Sequence, residues 1–141
     1  MPILYFDASA LVKLLVDETG SETAAGLWDA ADLVACSLLG HVEVRAALAA
    51  AHRAGRLTDS DHREQVRAWT EDYWPAIAQV PLTPPTADRA GEIASERTLR
   101  GADAVHVASA GALPDAIVVA WDRRLREGAA THGLEVAPRH V

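Results

Sequence analysis

Two stretches share one plan: Ala116-Ile117-Val118-Val119-Ala120-Trp121 runs straight into Asp122, and Pro2-Ile3-Leu4-Tyr5-Phe6 runs straight into Asp7. Neither alternates polar with apolar residues, so each reads as a short strand covered on both faces. A helical pattern follows each acid. Ala8 to Val16 sets Leu11, Leu14 and Leu15 on one stripe, and Arg123 to Thr131 continues to a stop at Gly133.

The same alternation extends outward from these two units. Ser21 to Ala31 reads as a helix and Leu33 to Cys36 as a strand. Ser37 is a suitable N-cap for a long helix, Leu38 to Ala54, ending at Gly55. Thr58-x-x-Asp61 resembles a capping box and opens a helix that runs to about Tyr73 and is closed by Pro75. Ile77 to Leu82 is a weak strand, Pro84-Pro85 breaks the chain, and Thr86 caps a helix from Ala87 to Arg97. A loop at Leu99 to Gly101, a helix from Ala102 to Leu113 and a last strand, Leu134 to Ala137, complete the order. The expected fold is α/β: a parallel central sheet of about four to five strands with helices on both faces. The helix pair between Leu38 and Tyr73 is long enough to project as a hairpin, a natural surface for a homodimer.

With 141 residues the chain has room for one domain, residues 1–141, and no linker or internal repeat divides it. Half of its residues are hydrophobic and 23% are charged, a composition that supports a packed core. One cysteine, Cys36, excludes an internal disulfide framework and a thiolate zinc site. The apolar runs fall far short of the roughly 18 residues a membrane span requires, and the N-terminus lacks the features of a signal peptide. A cytoplasmic protein with no membrane association is expected. Thirteen basic against twenty acidic residues leave a net charge of −7, so bulk charge does not attract a polyanion. A nucleic acid has to be held by a local basic patch or through cations. Twelve of the basic residues are arginine, and Lys13, near the first aspartate, is the only lysine.

Four acids stand out. Asp7 and Asp122 close strands, where α/β folds place their sites, and each also suits the N-cap of the helix that follows. Glu43 sits in Leu38-Leu39-Gly40-His41-Val42-Glu43-Val44, within a helix otherwise poor in charge, and needs a cationic partner. Asp103 opens the small-residue helix Gly101-Ala102-Asp103-Ala104-Val105-His106-Val107-Ala108-Ser109-Ala110. His106, one turn on, reads as a hydrogen-bonded helix histidine rather than a metal ligand. The four acids can converge on one rim, where mutual repulsion calls for a hard divalent cation, Mg²⁺ or Mn²⁺. His41 and Glu43 point to different helix faces. No zinc-type His/Cys spacing, nucleotide-binding loop or serine-hydrolase elbow is present.

In order and spacing these motifs resemble PIN-domain proteins, specifically the VapC toxins of type II toxin–antitoxin systems. The resemblance rests on Asp7-Ala8-Ser9-Ala10-Leu11-Val12-Lys13, on Val42-Glu43-Val44, on the segment from Leu99 to Ala110, and on Trp121-Asp122-Arg123-Arg124-Leu125. It implies an endoribonuclease dependent on Mg²⁺ or Mn²⁺, with Asp7, Glu43, Asp103 and Asp122 as the acidic cluster. Asp7 and Asp103 are the implied direct ligands, the other two often acting through water. The family commonly has Ser or Thr where this chain has Ala120, a departure that bears on how Asp122 is oriented. Ser9 is available to support a carboxylate, and Arg123, Arg124 and Arg126 are candidate contacts for RNA phosphate. The implied partners are RNA, a small VapB-like antitoxin whose tail blocks the site, and a second copy of the chain.

Two other readings compete. One is a PIN-like module that binds RNA or protein without cutting. The other is a haloacid-dehalogenase-like hydrolase with Asp7 as nucleophile, although Ser9 stands where its phosphatases carry a second aspartate.

Overall fold

A computed structural model describes residues 2–96 and 98–141. Arg97, the last residue of one expected helix, lies outside them. Five strands form one parallel sheet: β1 (Ile3–Phe6), β2 (Leu33–Ser37), β3 (Ala78–Val80), β4 (Ile117–Val119) and β5 (Glu135–Ala137), in the order β3-β2-β1-β4-β5. The helices are α1 (Ala8–Val12), α2 (Ser21–Ala30), α3 (Leu38–Arg53), α4 (Asp59–Ala68), α5 (Pro84–Glu96), α6 (Gly101–Gly111) and α7 (Arg123–Thr131). The chain builds outward from β1 through β2 to β3, then returns to β1's other side with β4 and β5. The order therefore reverses between β1 and β4. Ligands of open parallel sheets bind outside the carboxyl ends of strands at such a reversal. Asp7 and Asp122 follow those two strand ends.

Successive residues of β1 face opposite sides, as the strand period of two requires. Leu4 and Phe6 enter a core with Leu11, Val44, Leu48 and Trp69, the α1 and α3 side. Tyr5 enters the other, with Ile93, Val107 and Leu125 from α5, α6 and α7. Register pairs Tyr5 with Ala35 and with Val118, so β1 is central and buried on both faces. The expected helix pair is present as α3 and α4. α3 buries Gly40, Val44, Leu48 and Ala51, while α4 buries none of its residues and is the exposed member.

Several boundaries differ from the sequence reading. α1 ends at Val12, and Leu14, Leu15 and Val16 continue as tight turns. Pro84 and Pro85 begin α5 instead of preceding it, since the first helical turn needs no amide donors. Its cap is correspondingly Thr83, whose hydroxyl accepts the Thr86 amide at 3.3 Å. The helix expected to reach Tyr73 changes at Trp69 into a π-helical turn, Trp69–Tyr73, followed by a 3₁₀ turn at Trp74–Ala76. Trp69, Trp74 and His41 stack together at that point, and the Trp69 indole donates to His41 Nδ1 at 3.1 Å. Four strands are shorter than expected, β3 and β4 spanning three residues each, while β2 runs one residue further, to Ser37. Among the described residues no helix is long and apolar enough to cross a membrane.

Candidate active site

Asp7 leaves β1 in an extended conformation and caps α1. Its amide donates to Val119 O at 3.2 Å, which ties it to β4. Its carboxylate accepts the Ala10 amide at 2.9 Å and the Ser9 hydroxyl at 2.8 and 3.0 Å. Only 5% of the residue is exposed. Burial pushes the Asp7 carboxyl above its ordinary range and nearby Glu43 adds to this, while His106 and the donors from Ala10 and Ser9 pull the other way. Capping and site chemistry are thus compatible roles for one carboxylate, and Ser9 supports Asp7 as its position suggests.

Glu43 reaches the same place from α3. Its cationic or donor partner is not an arginine but His106, whose Nε2 lies 2.5 Å from Glu43 Oε1. The helix comes close because Gly40, one turn earlier, packs directly on the thiol of Cys36 in β2. Cys36 is fully buried, and burial together with the charges of Asp7 and Glu43 pushes its thiol up, out of reach of ordinary thiolate chemistry. His41, two residues before Glu43, turns instead toward Trp69, so the two side chains do face different ways.

Asp103 lies in the first turn of α6, 9% exposed, and its Oδ2 accepts from Arg100 Nε at 3.3 Å. His106 follows one turn later on the same face of the helix. Asp122 is exposed and caps α7, accepting the Leu125 amide at 3.0 Å. That amide orients it where a hydroxyl at position 120 does not. Ala120 is fully buried in the core beneath α6 and α7.

The three candidate arginines behave differently. Arg126 is committed to the main chain: Nη1 donates to Ala120 O at 2.7 Å and Nη2 to Pro138 O at 2.6 Å. It clamps the C-terminal segment beside Asp122 and is not available as a phosphate contact in that arrangement. Arg123 pairs with Glu127 at 2.9 Å on the surface. Arg124 is exposed beside a shallow depression bordered by Thr98, Leu99 and Glu127.

The donor set is all oxygen at its exposed edge, which suits a hard divalent cation. Among the described residues no three His, Cys, Asp or Glu side chains are gathered tightly enough to hold an ion alone. A cation here would have to rely on one or two carboxylates and water, the usual habit of Mg²⁺. The buried, raised Asp7 carboxyl beside Glu43 is the feature such an ion would relieve.

Two further residues join this geometry, His106 and, behind it, Tyr5, whose hydroxyl lies 2.7 Å from His106 Nδ1. His106 is visible as a polar residue one turn after Asp103. Tyr5 sits in an apolar strand and gives no local sign of its partner.

Comparisons with known proteins agree with this picture. A family model described as PIN domain matches residues 4–130. The chain is 52% identical over 143 residues to Ribonuclease VapC45 of Mycobacterium tuberculosis, covering 100% of this chain and 99% of that relative. FitAcB from Neisseria gonorrhoeae superposes with a TM-score of 0.72 at 17% identity, over 94% of this chain and 95% of that one. A toxin–antitoxin complex from Klebsiella pneumoniae gives a TM-score of 0.66 at 16% identity, over 98% and 99% of the two chains. At these identities the structural likeness speaks for the fold.

Proposed function

The chain belongs to the PIN-domain family, and from that premise we propose that it is a divalent-metal-dependent endoribonuclease, the toxin of a VapBC-type pair. The observation that carries the reading is the buried Asp7 carboxyl at the sheet's reversal point, raised by burial and lying in the field of Glu43. A carboxylate placed there has no structural need to be charged beyond its cap, and a hard cation gives that charge a use. The full-length identity to a relative named a ribonuclease supports RNA as the substrate class.

In this proposal Asp7 and Asp103 would hold Mg²⁺ or Mn²⁺, with Glu43 and Asp122 as the other acids of the rim. The ion supplies a Lewis acid that polarises water and offsets charge on the phosphoryl oxygens. Ser9 donates to Asp7 and keeps both its oxygens oriented. Arg123 and Arg124, on the exposed start of α7, are the proposed contacts for phosphate. Water adds to phosphorus in line as the P–O3′ bond breaks; the water gives up a proton and the leaving 3′ oxygen takes one, leaving 5′-phosphate and 3′-hydroxyl ends. Replacing Asp7 or Asp103 by Asn is expected to abolish metal-dependent cleavage of RNA while the fold survives. A folded variant that cuts at the wild-type rate overturns the assignment.

The proposed partners are a small antitoxin with a basic tail and a second copy of this chain. The net charge of −7 suits a basic tail, and a chain of the same fold stands in a complex named for its toxin and antitoxin. Leu38 and Val42, 45% and 62% exposed on one face of α3, offer apolar surface for a homodimer. The non-cutting module has one observation in its favour, the engagement of Glu43 by His106. Titrating Mg²⁺ into the protein with a generic RNA separates the two, since binding without products favours the module. The haloacid-dehalogenase reading falls with the family assignment.

A further inference from the structure

A single hydrogen-bonded line joins the middle of the sheet to the acidic rim. The Ser37 amide donates to the Tyr5 hydroxyl at 3.0 Å, occupying a lone pair of that oxygen. The same hydroxyl lies 2.7 Å from His106 Nδ1. A carboxylate oxygen only accepts, so the imidazole carries a proton on Nε2, and Nε2–H donates to Glu43 Oε1 at 2.5 Å.

The line is also held sterically. Tyr5 is fully buried and His106 is 2% exposed. Their rings meet edge to face, with centroids 5.8 Å apart and planes at 66°. Gly40 of α3 closes on the ring from another side, a Cβ there falling 3.7 Å from His106 Cε1. A turn of the imidazole therefore breaks both its hydrogen bonds at once. Glu43, by contrast, is a long side chain that is one-third exposed. Left alone it would sample many rotamers, and ordering it would cost conformational entropy at the moment a ligand binds.

We propose that His106, set by Tyr5, is a positioning residue for Glu43: its Nε2–H fixes Oε1 and leaves Oε2 as the oxygen offered to a hard cation. This rests on the metal-dependent reading of the same rim. The arrangement is the outer-shell logic of metal sites, in which a buried hydrogen-bonded partner orients a carboxylate before the ion arrives. It also supplies the partner that the sequence calls for at Glu43, because Nε2–H donates to one carboxylate oxygen and leaves the other free.

The test uses the full chain with His106→Leu, His106→Gln and Tyr5→Phe, and two readouts. One is binding of Mn²⁺ alone, followed by the loss of the free-ion electron paramagnetic resonance signal. The other is kcat and KM on an RNA that the wild type cuts. Loss of the donor in His106→Leu is expected to weaken Mn²⁺ binding and lower kcat by roughly 10–100-fold each, with KM for RNA nearly unchanged. In His106→Gln the amide N–H takes the place of Nε2–H and recovers most of both. Tyr5→Phe, which removes one oxygen and frees the ring tautomer, falls between them.

A folded His106→Leu with wild-type Mn²⁺ affinity and kcat overturns the proposal. So does His106→Gln as impaired as His106→Leu, because then packing and not the N–H matters. Should His106→Leu fail to fold, Tyr5→Phe decides: weaker Mn²⁺ binding supports the proposal and unchanged binding refutes it. A wild type that neither binds Mn²⁺ nor needs metal to cut refutes the metal-dependent reading itself, and this inference with it. A metal-activated wild type with indistinguishable His106 and Tyr5 variants refutes only this one.

Discussion

Gly40 of α3 rests directly on the thiol of Cys36 in β2, and a methyl group on Gly40 would overlap the sulfur. This contact sets how near α3 approaches the sheet, and so whether Glu43, one turn on, reaches His106. Glycine inside a helix ordinarily costs about 0.5–1 kcal/mol relative to alanine, so Gly40→Ala would be stabilising at an open site. Here the sign reverses: overpacking is expected to destabilise by about 1–3 kcal/mol. Adding Cys36→Ala makes room for the new methyl, so the double variant should recover most of the loss. Thermal melts of the two single variants and the double variant check this. Strict additivity of the two changes would show that the contact does not govern the packing.

Asp7 carries a stability cost that the reading of its function explains. Its carboxyl is raised by burial, so the folded chain holds that proton more tightly than the unfolded chain does. Stability from this group is greatest below the unfolded pKa, near 3.9, falls as pH rises towards the folded pKa, and stays lowered above it. Asn keeps the cap without the charge. Asp7→Asn is therefore expected to be more stable than the wild type at pH 7 by about 1 kcal/mol, roughly 4 °C in Tm for a chain of this size. The advantage should vanish near pH 3. Melts of the two proteins across that range, without divalent ions, measure the difference. A less stable Asp7→Asn at pH 7 contradicts it.

Arg124 and Arg126 stand two residues apart and predict opposite phenotypes. Arg126 serves the carbonyls of Ala120 and Pro138, and its loss leaves partly buried acceptors unpaired. Arg126→Ala is expected to cost about 1–3 kcal/mol of stability. Arg124→Ala, at an exposed position, should leave stability within about 0.5 kcal/mol. It should weaken binding of single-stranded RNA and lower the slope of log K against log salt by about 0.7, the loss of one phosphate contact. Binding measured in the Asp103→Asn background, which is expected to hold RNA without cutting it, separates the two effects. An unchanged salt slope for Arg124→Ala removes it from the interface.

The parts of this molecule written locally were legible before any coordinates. The apolar runs ending at Asp7 and Asp122 announce strands with acids at their ends, and Ser37 announces the cap of α3. Glu43 was recognisable as needing a partner, but not which one, because His106 lies 63 residues away and only the fold brings them together. Tyr5 read as ordinary core for the same reason, its partner being 101 residues distant. Arg126 reads as a candidate phosphate contact because its actual acceptors are backbone carbonyls, which leave no mark in a sequence. The turn at Trp69 was hidden as well: helical spacing continues into it, and the break arises from the stacking of Trp69 and Trp74 around His41.

Lys13, the single lysine, also finds its role in contacts. Its ammonium donates to Thr19 O at 2.7 Å and Glu18 Oε1 at 3.2 Å, and stands 5.1 Å from the centroid of Trp121. Gly20 closes the same loop with φ at +93°, and a Cβ there would fall 2.9 Å from Trp121 Nε1. The loop between α1 and α2 thus cradles the indole immediately before Asp122. Lys13→Met retains the apolar stem but loses the donors and the cation over the ring, an expected cost of about 1–2 kcal/mol. Gly20→Ala meets two penalties, a left-handed backbone and a collision with the indole, and should cost more, about 2–3 kcal/mol. Denaturant unfolding gives both numbers. If the cradle positions Asp122 as well as stabilising the fold, Lys13→Arg, which retains a cation over the ring, should keep wild-type cleavage where Lys13→Met loses it. Equal cleavage by the two variants would confine Lys13 to stability.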